Sequence, residues 1–222
     1  RGGAMDDQLG FSVSTVGDVD GDDLADVIIG APVADPIGVD RAGAAFVYSA
    51  LSGNLIYTFI GHETWERLGT SVAGAGDVNG DGVPDILIGS PGASPQGQTS
   101  AGSVFVYSGA DQSLIHQFDG PASGQYLGNA IASAGDVNSD GFDDILIGSS
   151  FTAGGGAATI YSGMTGDVLH EFAGEGANDS FGTSVSGGSD VDGDGVSDVM
   201  IGAPNASPNG VTGAGAAYLY SG

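Results

Sequence analysis

Short apolar runs recur along this chain at matched intervals. Val27-Ile-Ile29, Ile86-Leu-Ile88, Ile145-Leu-Ile147 and Val199-Met-Ile201 each lead straight into a Gly or Gly-small pair. Runs this short and β-branched predict strands, because a helix needs a longer segment with a 3.6-residue period. Two further sets keep phase with the first. Gly43 to Tyr48, Gly102 to Tyr107, Gly156 to Tyr161 and Gly215 to Tyr220 form one, and Leu55 to Phe59, Leu114 to Phe118 and Val168 to Phe172 form the other. Leu9-Gly10, Leu68-Gly69, Leu127-Gly128 and Phe181-Gly182 open the repeats, at spacings of 59, 59 and 54 residues. Each repeat reads as four strands, A to D, where A is the short segment after the opening Gly. The expected organisation is all-β: a lead-in linker at 1–8, units at 9–67, 68–126 and 127–180, and a fourth at 181–222 that lacks strand D. The third unit is shorter only between B and C.

The polar positions between A and B are more regular still. They read Asp18-Val-Asp20-Gly-Asp22-Asp-Leu24-Ala-Asp26, Asp77-Val-Asn79-Gly-Asp81-Gly-Val83-Pro-Asp85, Asp136-Val-Asn138-Ser-Asp140-Gly-Phe142-Asp-Asp144 and Asp190-Val-Asp192-Gly-Asp194-Gly-Val196-Ser-Asp198. Side-chain oxygens at positions 1, 3, 5 and 9, with Gly at position 6 in three copies, form the spacing that wraps hard oxygen ligands around calcium. An EF-hand would carry a bidentate Glu at position 12 between helices, but position 12 here is Ile29, Ile88, Ile147 or Ile201, inside strand B. A dockerin reading fails for the same reason, since its loops enter helices. The loops are therefore expected to be strand-to-strand turns, with the backbone carbonyl of position 7 (Leu24, Val83, Phe142, Val196) as an added ligand. Asp23 replaces Gly at position 6 of the first loop, which is expected to weaken that site.

Fourteen Asp residues fall at ligand positions. Carboxylates held a few ångströms apart repel unless a cation sits among them, so about four calcium ions per chain are expected. Three Arg, no Lys and 28 acidic residues give a formal charge of −25, which four calcium ions would bring to about −17. Such a charge argues against nucleic-acid and anionic-membrane partners. The absence of cysteine excludes disulfides, no apolar run is long enough to span a membrane, and no signal segment is visible. Stability is expected to come from strand packing and calcium, which suits an extracellular setting.

These repeats resemble the FG-GAP repeats of the integrin α-subunit β-propeller and its bacterial relatives. The pattern of Phe-Gly, calcium loop and Gly-Ala-Pro stands here as Phe181-Gly182 with Gly202-Ala203-Pro204. It recurs as Leu-Gly with Gly30-Ala31-Pro32 or Gly89-Ser90-Pro91, and departs to Gly148-Ser149-Ser150 in the third unit. The resemblance covers residues 9 to 222. It implies a β-propeller of four-stranded antiparallel blades, calcium in the A–B loops, a secreted or cell-surface location and a role in adhesion or ligand binding. Propellers of this family usually carry seven blades, so the four units are expected to belong to a larger ring or one completed by a second copy. Related propellers also occur within secreted polysaccharide lyases, which leaves a non-catalytic accessory role in a larger enzyme as the alternative.

Catalysis by this chain is not expected. His116 and His170 share one strand-D position in successive units, and no nucleophile elbow, zinc helix or phosphate loop occurs. Strand alternation sends the B–C and D–A connections to the face opposite the calcium loops. Arg41, His62, the only tryptophan Trp65, Arg67 and Tyr126 fall in them, types that commonly anchor interfaces. They are the candidate ligand-binding residues: carbohydrate would stack on Trp65, while an acidic protein segment would prefer Arg41 and Arg67. The competing expectation is that Trp65 packs against the next blade and the arginines merely offset nearby acids.

Overall fold

The computed structural model describes residues 6–152 and 154–222. Of the expected lead-in, residues 1–5 lie outside the described residues, and 6–8 form no strand. Fifteen strands follow in four antiparallel sheets. The first sheet holds β1 (Ser12–Gly17), β2 (Asp26–Ala31), β3 (Ala44–Tyr48) and β4 (Leu55–Ile60). The second holds β5 (Ser71–Gly76), β6 (Asp85–Ser90), β7 (Ser103–Tyr107) and β8 (Leu114–Asp119). The third is β9 (Ala130–Gly135), β10 (Asp144–Ser149), β11 (Ala157–Tyr161) and β12 (Val168–Ala173). The fourth is a three-stranded sheet of β13 (Ser184–Ser189), β14 (Asp198–Ala203) and β15 (Ala216–Tyr220). Each sheet runs in sequence order, as a propeller blade does.

Strand B begins at the position-9 Asp of the loop, one residue before the apolar run that announces it. A register shift next to Gly17, Gly76 or Asp144 bends the chain into the loop. Single-turn 3₁₀ segments at Pro36–Gly38, Pro95–Gly97 and Pro208–Gly210 fill the B–C connections of units one, two and four. The shorter third unit has none among its described residues.

The core lies between blades. Strand B is buried on both faces, so it reads as a continuous apolar run with no alternation. Ile28 and Val47 of the first blade meet Leu68, Val72, Ile86 and Ile88 of the second. The same contact recurs between blades two and three and between three and four. Rings mark each junction: Phe59 with Tyr107 at 4.6 Å, Phe118 with Tyr161 at 4.2 Å and Phe172 with Tyr220 at 4.2 Å between centroids. The opening Leu68, Leu127 and Phe181 are all buried in these junctions, so Leu fills the same apolar position as Phe.

The innermost strands β1, β5, β9 and β13 pack in series, and no packing of similar extent joins β13 back to β1. The outward faces of the end blades are correspondingly bare. Ile28 and Val47 are fully buried, whereas their counterparts Met200 and Leu219 are 48 % and 49 % exposed, and Val13 at the other end is 67 % exposed. The four blades form an open arc.

Candidate functional site

Two regions at opposite ends of the strands concentrate the chemistry. In the A–B loops, the position-1 carboxylate folds the turn around itself. Asp77 accepts backbone N–H groups from Gly80 at 2.7 Å, Asp81 at 3.2 Å and Gly82 at 2.9 Å, and Asp18 does the same for Gly21, Asp22 and Asp23. Position 3 accepts from the N–H of position 5, as Asn79 does from Asp81 at 2.8 Å, and position 5 accepts from position 7, as Asp81 does from Val83 at 2.8 Å. Asp136, Asn138, Asp140 and Phe142 repeat this ladder, as do Asp190, Asp192, Asp194 and Val196. At Leu24 the matching donor is its own N–H, 2.9 Å from Asp22.

The turn needs left-handed backbone at two positions. Position 6 has φ of 85°, 91° and 93° at Gly82, Gly141 and Gly195, and Asp23 is forced to 68°. Position 4 shows the same demand, met by Gly in three loops and by Ser139 at 59° in the third.

The ladder leaves carboxylate oxygens facing one another. One oxygen from each of Asp18, Asp20 and Asp22 lies within 4.8 Å of the others, and Asp190, Asp192 and Asp194 form the same cluster. Loops two and three carry Asn79 and Asn138 at position 3, and so have one carboxylate fewer. An all-oxygen donor set of this spacing, without sulfur or imidazole, fits a hard divalent cation. Asp18 shows the local field. Desolvation raises its pKa, but the N–H groups of Asp23, Gly21, Asp22 and Asp20 outweigh that and hold the carboxyl below its ordinary range.

Position 9 does something the sequence reading did not foresee. Asp26, Asp85, Asp144 and Asp198 are buried, and each staples two turns together. One oxygen accepts the position-2 N–H, from Val19, Val78, Val137 or Val191, at 2.7 to 3.0 Å. The other accepts an N–H from the C–D turn or its equivalent, at Ala50, Gly109, Gly163 or Gly222, at 3.0 to 3.2 Å. A carboxylate has about four lone-pair sites, so a cation can still share it. Burial pushes the carboxyls of Asp85 and Asp144 up to about 6, against those N–H donors and with help from the neighbouring loop carboxylates. The signal for the staple was present in the recurring Ser-Ala or Ser-Gly pair after strand C. The loops also touch across blades: Asp143 accepts the Asp77 N–H at 2.9 Å and donates its own N–H to the Asp77 carbonyl at 3.2 Å.

On the opposite face, the structure brings Arg41, Trp65, Arg67 and Tyr126 together. The Arg41 guanidinium lies 4.1 Å from the Trp65 ring centroid and that of Arg67 5.8 Å from it. Trp65 is 44 % exposed, with the Arg41 guanidinium over its ring. An open groove of about 780 Å³ runs between Trp65, Arg67 and Tyr126, and Phe11 and Phe151 complete its apolar lining. A second groove, of about 390 Å³, adjoins it along Phe11, Arg67 and Thr70 and reaches Arg41. His62 lines neither groove; its backbone N–H is held by buried Glu66 at 2.7 Å. Phe11 and Phe151 escaped the sequence reading because each stands just past a repeat motif, Leu9-Gly10 and Gly148-Ser149-Ser150, without being part of it. Comparing the units finds them, since Phe11 stands where the others have Thr70, Asn129 and Thr183, and Phe151 where they have Val33, Gly92 and Asn205.

The histidines bear on chemistry only as struts. The His116 ring Nε2 lies 2.6 Å from the Gly163 carbonyl of the next blade, and Tyr57, at the same strand position, donates its hydroxyl to the Gly109 carbonyl at 2.9 Å. His170 stacks on Phe172.

Comparison with known proteins agrees with this architecture. The chain is 34% identical over 215 residues to integrin alpha-5 of Xenopus laevis, covering 89% of this chain and 20% of that protein. It is 31% identical over 219 residues to integrin alpha-V of Gallus gallus, covering 90% and 20%. The chain thus spans about a fifth of the length of these relatives. Among solved structures, a rhamnogalacturonan lyase of Bacillus licheniformis superposes with a TM-score of 0.53 at 17% identity, covering 87% of this chain and 40% of that one. The rhamnogalacturonan lyase YesW gives 0.55 at 16%, with the same coverage. At these identities the likeness is one of fold. The FG-GAP repeat model matches residues 9–48, 68–107, 127–161 and 181–220, in register with the four blades and their acidic loops, and the chain belongs to the FG-GAP repeat family of integrin-like β-propellers.

Proposed function

We propose that this chain is a calcium-stabilised, extracellular adhesion-type module that recognises its ligand through the face opposite the calcium loops. The observation that carries the reading is the separation of chemistry between the two ends of the strands. Oxygen-bearing side chains at positions 1, 3, 5 and 9 stand in all four A–B turns and close into carboxylate clusters in the first and fourth, and exposed aromatic and cationic side chains collect at the other end. Positions 1, 3, 5 and 9 of each loop, with the carbonyl of position 7, would hold calcium. The bound ion would supply positive charge to offset clustered carboxylates and lock the loop onto the blade through the position-9 staple. Similarity to integrin α-chains supports an extracellular protein-binding role. An accessory role beside a secreted polysaccharide-degrading enzyme uses the same face.

No catalytic step is proposed. His116 is committed to a backbone carbonyl, and no histidine lines either groove.

The combined change Trp65→Ala with Arg67→Ala tests the reading. Attachment of the purified, calcium-loaded chain to matrix proteins and glycans is expected to be lost while calcium stoichiometry and melting temperature hold. A double variant that attaches as well as the parent would overturn the assignment of the face.

A further inference from the structure

The aromatic residues on this face are not demanded by the repeat. Phe11, Trp65 and Phe151 replace Thr, Gly or other residues that serve the same backbone positions in sister blades, and they are 60 %, 44 % and 63 % exposed. Tyr126 meets Phe151 edge-on at 5.2 Å. Rings this exposed offer stacking platforms on the faces that Arg41 and Tyr126 leave uncovered, since each covers a large apolar area at little cost in side-chain entropy.

The cations beside them are free. In a chain with 28 acidic residues, neither the Arg41 nor the Arg67 guanidinium forms an ion pair among the described residues; each lies over the Trp65 ring. Arg41 is instead held by its backbone, whose N–H donates to Asp35 at 2.7 Å. Two forked donors are thus presented to solvent, fixed at one end of an aromatic trough. Asp6 is the single acidic residue lining the smaller groove, so two guanidiniums outweigh it there. A planar fork of this kind pairs with a carboxylate through two parallel hydrogen bonds.

Resting on the ligand-face reading above, we infer that the two adjoining grooves bind a short uronic-acid oligosaccharide. One carboxylate sits between Arg41 and Arg67, and successive sugar rings stack along Phe11 and Trp65 toward Tyr126 and Phe151. Hydroxyl groups on the trough wall, from Thr64 and Ser100, are placed to exchange hydrogen bonds with sugar hydroxyls, and that of Thr70, which donates to the Arg67 carbonyl at 2.8 Å, can still accept one. The formal charge of −25 decides the length. Attraction to two guanidiniums is local, whereas a dense polyanion would extend over the acidic remainder of the surface and be repelled. A short chain, whose few carboxylates stay over the grooves, gains the first and largely avoids the second. An acidic peptide would use the arginines but has no need of four exposed rings.

Calorimetric titration of the calcium-loaded chain with trigalacturonate and trimannuronate tests this, with maltotriose as the neutral control and hexaglutamate as the acidic peptide. At least one uronate trimer is expected to bind, more tightly than either control. Arg41→Gln and Phe151→Ala, both side chains outside the buried clusters between blades, are each expected to weaken binding by about tenfold. Equal binding of maltotriose, binding of hexaglutamate as tight as the trimers, no binding of either trimer, or indifference to both substitutions would overturn the proposal. If the trimers fail while the Trp65 and Arg67 double variant still loses attachment to a matrix, only the ligand class falls. If the trimers bind that double variant as well as the parent, the face assignment falls with it.

Discussion

At the scale of single residues, the acidic A–B loop shows which parts of a motif are chemistry and which are geometry. Positions 1, 3 and 5 were legible as oxygen donors because their spacing recurs in every copy, and in loops one and four the structure clusters them. Position 9 was legible as an oxygen but not as a staple, since its second partner lies 24 residues on in loop one, at Ala50. Position 4 carried its message only in Gly21, Gly80 and Gly193, and Ser139 shows the demand by breaking it. Ser139→Gly is therefore expected to stabilise the protein by up to about 1 kcal/mol, because a left-handed backbone costs a residue with a Cβ of that order. Denaturant titration with and without calcium measures it, and a loss of stability in both conditions would contradict the account.

At the scale of strands and blades, periodicity gave the number, order and class of the elements, because a blade is a local unit whose pattern repeats. What lay outside its reach was the contact between units. Gly89 shows why: it crosses the Gly128 carbonyl of the next blade so closely that an added methyl would overlap it. Gly89→Ala is expected to cost more than about 3 kcal/mol, from overpacking against backbone that cannot yield. A melting temperature unchanged by this substitution would refute the blade packing described.

The buried position-9 carboxyls add a pH dependence at the same scale. Asp85 and Asp144 sit at about 6 in the folded chain, above their ordinary value of 3.8. Protonation therefore favours the folded state: the metal-free protein has this stability in full below pH ~4 and loses it as pH rises through ~6. Chelated protein is expected to melt higher at pH 5 than at pH 7, and calcium to remove the difference. A metal-free melting temperature that instead rises from pH 5 to 7 would contradict this.

At the scale of the whole molecule, the open arc leaves one apolar blade face bare at each end. Val13 stands at the entry and Met200 with Leu219 at the exit, the same kinds of surface that meet inside every junction. The 222-residue chain in isolation is expected to self-associate through them, the exit face of one copy meeting the entry face of another. Met200→Ser with Leu219→Ser should shift sedimentation toward the monomer, and an unchanged distribution would rule that contact out. The opposite-face trough was half legible: Arg41, Trp65 and Arg67 are rare residue types in this chain and Tyr126 falls in the same connections, whereas Phe11 and Phe151 emerge only when the units are compared position by position.

The account stands most directly on the metal. Titration calorimetry of chelator-stripped protein is predicted to show about four calcium ions bound per chain, with the melting temperature rising as they bind, because an ion that binds only the folded loops adds its binding free energy to stability. A stoichiometry of zero or one, or a melting temperature indifferent to calcium, would contradict it.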